Sequence, residues 1–476
     1  MALCWTACFE EAFTTSPDVR LVFTTDTLRF DTVFTELGTA TRSFRVHNPA
    51  DLAVRTSVRL PDASVFRMNV DGLPGPVVND VEIGANDSIW IFVEATIDPD
   101  QPLSVSPFVI EEQLEFMTNG ALQQVLLEAW GQNANYVPSR FHGNRISVLT
   151  CDLGTITWDD PKPYVIYGTL LLDSCTLVWP AGARIYVHGG LANNTLGIYN
   201  DGILFTLPRG RIRSEGTADQ PVVVQDDRLE PEYTSLWGGI RLGPASGPHV
   251  MRHTIVRHAA TAVVVDSAAV LEADAVQFHS NAGSGLFARH ATVSAVNGLF
   301  YDNGGPAVTL TYGGQYAFDY CTMASFGNDG EGLALTNFYC PEPLCQSGIF
   351  VNNLSATFRN CIIVGSAGDE ILLSDATRDQ PDELFNVSFE QCIVKVNELL
   401  DPDAYPDFFT SLCTGCLEWS FSDTLFANQV EFDFHLDTLS LAEEMAIPIP
   451  GVDVDLDGVM RDAERPDIGC YERVNE

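Results

Sequence analysis

Near the C-terminus, residues 451–472 read GVDVDLDGVMRDAERPDIGCYE. Asp453, Asp455 and Asp457 alternate, Gly458 follows, and Glu464 comes six residues later. This D-x-D-x-D-G-x5-E spacing can converge oxygen ligands on a hard cation, with glycine permitting the sharp turn and glutamate closing the shell. Asp453, Asp455, Asp457 and Glu464 are therefore candidate Ca2+ ligands. No amphipathic helix pattern flanks the loop, and Arg461 occupies a position that a calcium loop leaves polar or water-linked.

A second chemical cluster is cationic. The stretch RHTIVRH brings together Arg252, His253, Arg257 and His258, with His279 and His290 further on. A regular strand would place His253 and Arg257 on one face. Abstraction of a proton beside a uronate carboxylate needs a base and a countercharge, so Arg257 and His258 are the candidate catalytic residues. Glycoside hydrolysis needs carboxylates flanking the bond instead. Asp226-Asp227 stands alone and reads as a solvated pair. Tyr301, Tyr312, Tyr316, Tyr320 and Phe326 are candidates for stacking on sugars, although core packing explains them equally well.

Among twelve cysteines, Cys340 and Cys345 bracket CPEPLC, and Cys413 and Cys416 form CTGC. No second pair has zinc-ligand spacing, so both read as local disulfides of an exported protein. Cys151 and Cys175 could staple a first coil. Cys321, Cys361 and Cys392 share one position of a repeat, which allows either cross-links between neighbouring coils or a column of buried thiols.

That repeat is the element that must position everything else. Thr254-Ile255-Val256, Val276-Gln277-Phe278, Gly298-Leu299-Phe300, Cys321-Thr322-Met323, Cys361-Ile362-Ile363 and Cys392-Ile393-Val394 recur at steps of 22, 22, 23, 40 and 31 residues. A second register follows at Val263, Leu286, Val308, Leu333 and Ile371, and a third precedes the first at Ala273, Ala295, Phe318, Phe358 and Phe389. Apolar residues at i and i+2 share one face of a strand. Three short strands per turn predict a parallel β-helix, since a two-helix repeat needs about 33 residues. Asn281, Asn303 and Asn328 keep step with the strands and predict an amide ladder at a corner, where Asn tolerates left-handed backbone. The pattern continues upstream more loosely and places the β-helix at residues 137–476, with a cap over 452–476.

Residues 20–136 differ in texture. Seven or so alternating strands, among them Arg42–His47, Ser88–Ala95 and Gln123–Trp130, are separated by turns such as NPAD, DGLPG and GAND. They predict an antiparallel β-sandwich. The whole chain thus reads as all-β. Its 64 acidic against 25 basic residues give a net charge of −39, and Lys162 and Lys395 are its two lysines. Such a surface repels nucleic acid.

FTTDTLRFDTVFTELGTATRSFRVHNPADLAVRTSVRL followed by VEIGANDSIWIFVEA resembles the immunoglobulin-like, Hydin-type domains of bacterial surface proteins. It resembles more closely the front domain of Bacteroidetes lipoproteins that continue into a right-handed parallel β-helix of the pectate-lyase-like kind. The opening MALCWTACFEEAFTTSPD resembles the lipid-attachment site of those lipoproteins, with Cys8 followed by acidic Glu10 and Glu11. The resemblance implies lipidation at Cys8, a tether over residues 1–19, and display on the extracellular face of the outer membrane, with secretion as the alternative. The C-terminal stretch is similar to a terminal D-x-DG-x-x-R…PDIGAYE motif of bacterial β-helix proteins. That likeness implies a metal-free cap in which Arg461 pairs with an acid. The expected function is a non-catalytic binding or structural component of a surface assembly, with a protein or glycan partner and the membrane touched through the lipid alone. The alternative is a carbohydrate-active enzyme, a polysaccharide lyase or hydrolase, or a glycan-binding protein on the same scaffold.

Overall fold

The computed structural model describes residues 12–34, 41–62, 64–96, 108–132, 134–139, 146–194, 197–227, 237–328, 330–342, 345–346, 348–378, 380 and 383–473. The lipidation candidate Cys8 lies outside them. The protein is all-β with almost no helix, and its described residues divide into two compact units, 12–134 and 135–473.

The first unit has two five-stranded sheets. One runs Val22–Phe23, Arg42–His47, Ser88–Ala95, Phe66–Val70, Leu73–Pro74, and the other Thr27–Phe34, Ala121–Gln132, Phe108–Thr118, Val54–Arg59, Val77–Ile83. Pairing is antiparallel except between Thr27–Phe34 and Ala121–Gln132, which run parallel. Inward residues of both sheets, including Phe44, Val46, Ile91, Val58, Leu114 and Phe116, share one core. Phe66–Val70 and Val77–Ile83 are strands without a clear signal in the sequence. They are short runs wedged between strong turn signals, and their alternation becomes visible only when neighbours pair with them.

The second unit winds into coils with three faces. An eleven-stranded parallel sheet carries the first repeat register, pairing Val256 with Phe278, Phe300, Met323, Ile363 and Val394 in succession. A fifteen-stranded sheet carries the other two registers, because Leu286–Val296 and Val308–Asp319 run continuously across a corner. The predicted columns face inward: Val263, Leu286, Val308 and Leu333 stack on one side, and Phe318, Phe358 and Phe389 on another, all essentially buried. One upstream strand, Gly210–Glu215, was hidden by its alternating arginines. The short helix Phe408–Ser411 closes the far end, its Phe408 ring 5.5 Å from Phe389.

The asparagine ladder is present but differs in detail. Asn281 donates from its amide to the amide oxygen of Asn303 at 2.9 Å, while Asn328 donates to the Asn303 backbone carbonyl at 2.7 Å. The left-handed residues are Ser280 and Asp302, one position earlier, at φ 54° and 50°. Asn281 and Asn303 stay in strand conformation, and their buried amides bond backbone and side-chain oxygens of neighbouring strands.

Disulfides join Cys151 to Cys175, Cys340 to Cys345 and Cys413 to Cys416. Cys321, Cys361 and Cys392 are free and buried, and their thiols donate to the carbonyls of Asp319, Arg359 and Glu390 at 3.3–3.4 Å. The column is therefore thiol, and burial pushes the Cys361 and Cys392 thiols well above their ordinary range.

Candidate functional site

The candidates sit on and around the outer face of the eleven-stranded sheet. There Tyr186 pairs with Gln225, and Arg257 with His279 and then Tyr301. Arg257 donates from Nε to the Gln225 side chain at 2.7 Å, and its carbonyl accepts from the Trp237 indole at 3.0 Å. His258 has left-handed backbone, φ 59°, and its N–H donates to Ser280 on the next coil. Burial, reinforced by the Arg257 charge, lowers the His258 pKa to about 4. His279 is lowered to about 3 for the same reasons and lies flat on Tyr301, centroids 4.5 Å apart. Both imidazoles are neutral at pH 7. The Tyr301 hydroxyl is pushed up to about 12 by burial.

These positions correct the sequence expectation. His253 and Arg257 do not share a strand face. Arg252 ends one strand, Thr254–Arg257 is the next, and His253 forms the left-handed corner between them at φ 40°. Asp226 and Asp227 are not solvated either. Asp226 is fully buried, and Asp227 bonds the imidazole of His188 at 2.7 Å, which in turn stacks on Tyr167. The sugar-stacking candidates form no groove. Tyr316 is buried with its hydroxyl on Gly313, Tyr320 is buried beneath Arg461, and Tyr301 and Phe326 pack against Phe434. Tyr312 lies beside His290 and Tyr339.

The largest difference concerns the C-terminal segment. The predicted cap does not close the end of the β-helix. Residues from Trp419 to Tyr471 lie across the outer face of the eleven-stranded sheet. Phe434, Leu436, Ile468 and Tyr471 there form an apolar cluster with Leu299, Ile362 and Ile393. Outward Leu and Ile on a strand face demand such a cover, and a repeat pattern does not disclose which distant segment supplies it.

The acidic loop belongs to this segment, and its residues do not fit a calcium ion. The Asp455 carboxylate accepts from the backbone N–H groups of Asp457, Val459 and Glu472 at 2.7–2.9 Å. Asp457 turns to His435 at 2.9 Å. Asp453 lines a groove of about 320 Å³ with Arg252, Glu272 and Asp274, and Glu464 is exposed. Among the described residues no three acidic, histidine or cysteine side chains are grouped to hold a metal ion. At the centre stands Arg461, which bonds Glu472 at 3.3 Å, Asn297 at 2.7 Å and the Gly469 carbonyl at 3.0 Å. Its guanidinium lies 3.9 Å from the Tyr320 ring centroid.

His435 bridges Asp457 and Asp433, at 2.9 and 2.6 Å, and stacks on Tyr471. Donation of a hydrogen bond to Asp457 foremost, then of one to Asp433, raises its pKa from 6.5 to about 9. A raised folded pKa stabilises the fold fully below the unfolded value and loses that stability as pH climbs through the folded one. The melting temperature should therefore fall between pH 6.5 and about pH 9. His435→Gln should flatten that stretch of the profile, and an unchanged slope in the variant would remove His435 as its source.

Glu370 carried no sequence signal. It is fully buried, accepts from the N–H groups of Gly332 and Ala367, and is pushed up to about 7 by burial. Lys395, beside it, donates to Gly365 and lies 4.1 Å from the Phe421 ring centroid. Both hold coil corners together.

The sequence matches the family described as a right handed beta helix region over residues 238–399. No curated protein matches the chain. Similar solved structures include a protein of unknown function from Porphyromonas gingivalis W83, 14% identical, covering 24% of this chain and 46% of that one, with a TM-score of 0.19. This chain therefore spans about half the length of that protein. The catalytic unit of a GH87 α-1,3-glucanase from Streptomyces thermodiastaticus strain HF3-3 is 12% identical over 74% of each chain, with a TM-score of 0.26. PapD-like domain 7 of human CEP192 is 6% identical, covering 28% of this chain and all of that one, with a TM-score of 0.19. At these scores the structures carry no argument about activity or ligand.

Proposed function

We propose that the protein is a non-catalytic surface component, a binding or structural element of an outer-membrane or cell-surface assembly. In this reading the first unit is an immunoglobulin-like, Hydin-type spacer, Cys8 carries a lipid anchor, and the β-helix is a rod that meets a protein partner or a glycan. The observation that supports it is the use of the eleven-stranded sheet. Its outer face is partly sealed by the chain's own C-terminal segment. On the rest, Arg257 and His258 are tied to neighbouring coils. A fold of this kind does not itself supply an activity.

The reading is tested by incubating the protein with acidic and neutral polysaccharides while measuring unsaturated products and new reducing ends. No turnover is expected. Turnover that disappears in Arg257→Ala or His258→Ala would replace this reading with that of a polysaccharide lyase or hydrolase.

A further inference from the structure

The outer face of one sheet in the first unit carries a pair of exposed aromatic rings. Strand Ser88–Ala95 alternates strictly, burying Ile89, Ile91 and Val93 and turning Trp90 and Phe92 outward. Two large rings at i and i+2 on a strand are held side by side by the pleat. Here they remain 45% and 40% exposed, with centroids 6.3 Å apart and planes inclined by 27°. Their cross-strand neighbours are polar. Arg45 lies opposite Trp90, its guanidinium 5.5 Å from the ring centroid. Asn69 lies opposite Phe92, and Arg67 opposite Glu94. Arg67 and Glu94 approach to 3.8 Å, an exposed pair offering donors and acceptors together. Beside Phe92 the surface sinks into a groove of about 540 Å³, lined also by Arg67, Asn69, Glu94, Pro74 and Pro76.

We propose that this face binds a neutral oligosaccharide, with successive pyranose rings laid on Trp90 and Phe92 and their hydroxyls bonded by Arg67, Glu94 and Asn69. Three observations select that ligand. The flat apolar faces of sugars, edged by hydroxyls, need exposed aromatic rings flanked by mixed donors and acceptors, and this face supplies both. The net charge of −39 disfavours a polyanionic chain. Two rings and a groove are far smaller than the roughly 1,000 Å² or more that a stable protein interface buries. The proposal rests on the non-catalytic binding reading above and names its ligand class. It places recognition on the first unit and leaves the β-helix to its partner.

The test is affinity electrophoresis of the full chain in gels containing laminarin, xylan, mannan or hydroxyethyl cellulose, with pectate as the anionic comparison. Retardation by at least one neutral polysaccharide is expected. Trp90→Ala and Phe92→Ala should each weaken it roughly tenfold, the value of about one aromatic stacking contact. The melting temperature should be unchanged, since both rings are already half in water. Arg67→Ala should weaken binding while Arg55→Ala, on the other sheet, should not. Absence of retardation by every neutral polysaccharide overturns the proposal, as do binding to pectate alone, undiminished binding in the double ring variant, and self-association as the only property lost in it. The outcome is independent of turnover: failure of the non-catalytic reading would appear as new reducing ends, failure of this site as absence of retardation.

Discussion

Arg461→Met is expected to destabilise the second unit by about 3–5 kcal/mol, the cost of breaking a buried ion pair from one side. The Arg461 and Glu472 side chains are 2% and 7% exposed. Methionine fills much of the arginine volume and removes its charge and five donors. Glu472 then keeps a buried charge without its cation, and so do Asp455 and Asp467, whose carboxyls burial already pushes up. Asn297 and the Gly469 carbonyl lose their partner as well. Since these groups join the C-terminal segment to the coil corner at Asn297, the segment should loosen first. Limited proteolysis should cut within residues 419–473 before the coils, and the urea midpoint should fall. Arg461→Met combined with Glu472→Gln should recover part of the loss, because much of the penalty is the stranded carboxylate. A variant with the urea midpoint and cleavage pattern of the parent protein would show that Arg461 does not fasten the segment.

Phe358→Ala is expected to cost about 3–5 kcal/mol by a different route, cavity formation. Phe358 is fully buried between Phe318 and Phe389, at centroid distances of 5.2 and 5.0 Å with each pair inclined by 14°. Its two partners are fixed by parallel pairing of their own strands, so they cannot close over the gap. In a solenoid each coil touches mainly its neighbours, so the damage should stay local. Urea unfolding should split into two phases, with the coils around residue 358 melting earlier, while Phe358→Leu should cost clearly less. A single transition at the parent midpoint would contradict the inward stack.

Both expectations concern features of unequal legibility. The ring stack could be read beforehand. Phe318, Phe358 and Phe389 recur in step with Leu333 and Ile371, and a strand period of two puts such residues on one side. The disulfide pairs Cys340–Cys345 and Cys413–Cys416 were equally open to view, because each cysteine has its partner within five residues along the chain. The arginine clamp could be read only in outline. Arg461 was recognisable as the residue that an acid would pair with, but the partners Glu472, Asn297 and Tyr320 lie 11 to 164 residues away. The acidic loop shows the limit of a motif. Its spacing satisfied a cation rule, whereas the folded loop gives the Asp455 carboxylate to three backbone N–H groups and aims Asp457 at a histidine. A carboxylate takes whichever donors the fold brings, and spacing does not reveal them.

The catalytic candidates illustrate the same point. RHTIVRH gathers cations along the chain, yet a left-handed corner at His253 separates Arg252 from Arg257 onto different faces. In the first unit, Ser88–Ala95 was legible as a strand, but the near-parallel setting of its two exposed rings required the neighbouring strands to set twist and spacing.

What the amino-acid order determined by itself was the coiled, parallel architecture of residues 250–395. There each coil repeats the same short-range rule, and stacking identical rules leaves one way to bury the apolar side. What only the folded chain decided was the fate of the outer faces. The C-terminal segment covers part of one of them, Arg461 is fastened from residues far apart in the chain, and Trp90 and Phe92 are left open. Covering or exposing a surface depends on contacts between distant segments, and no local period encodes those.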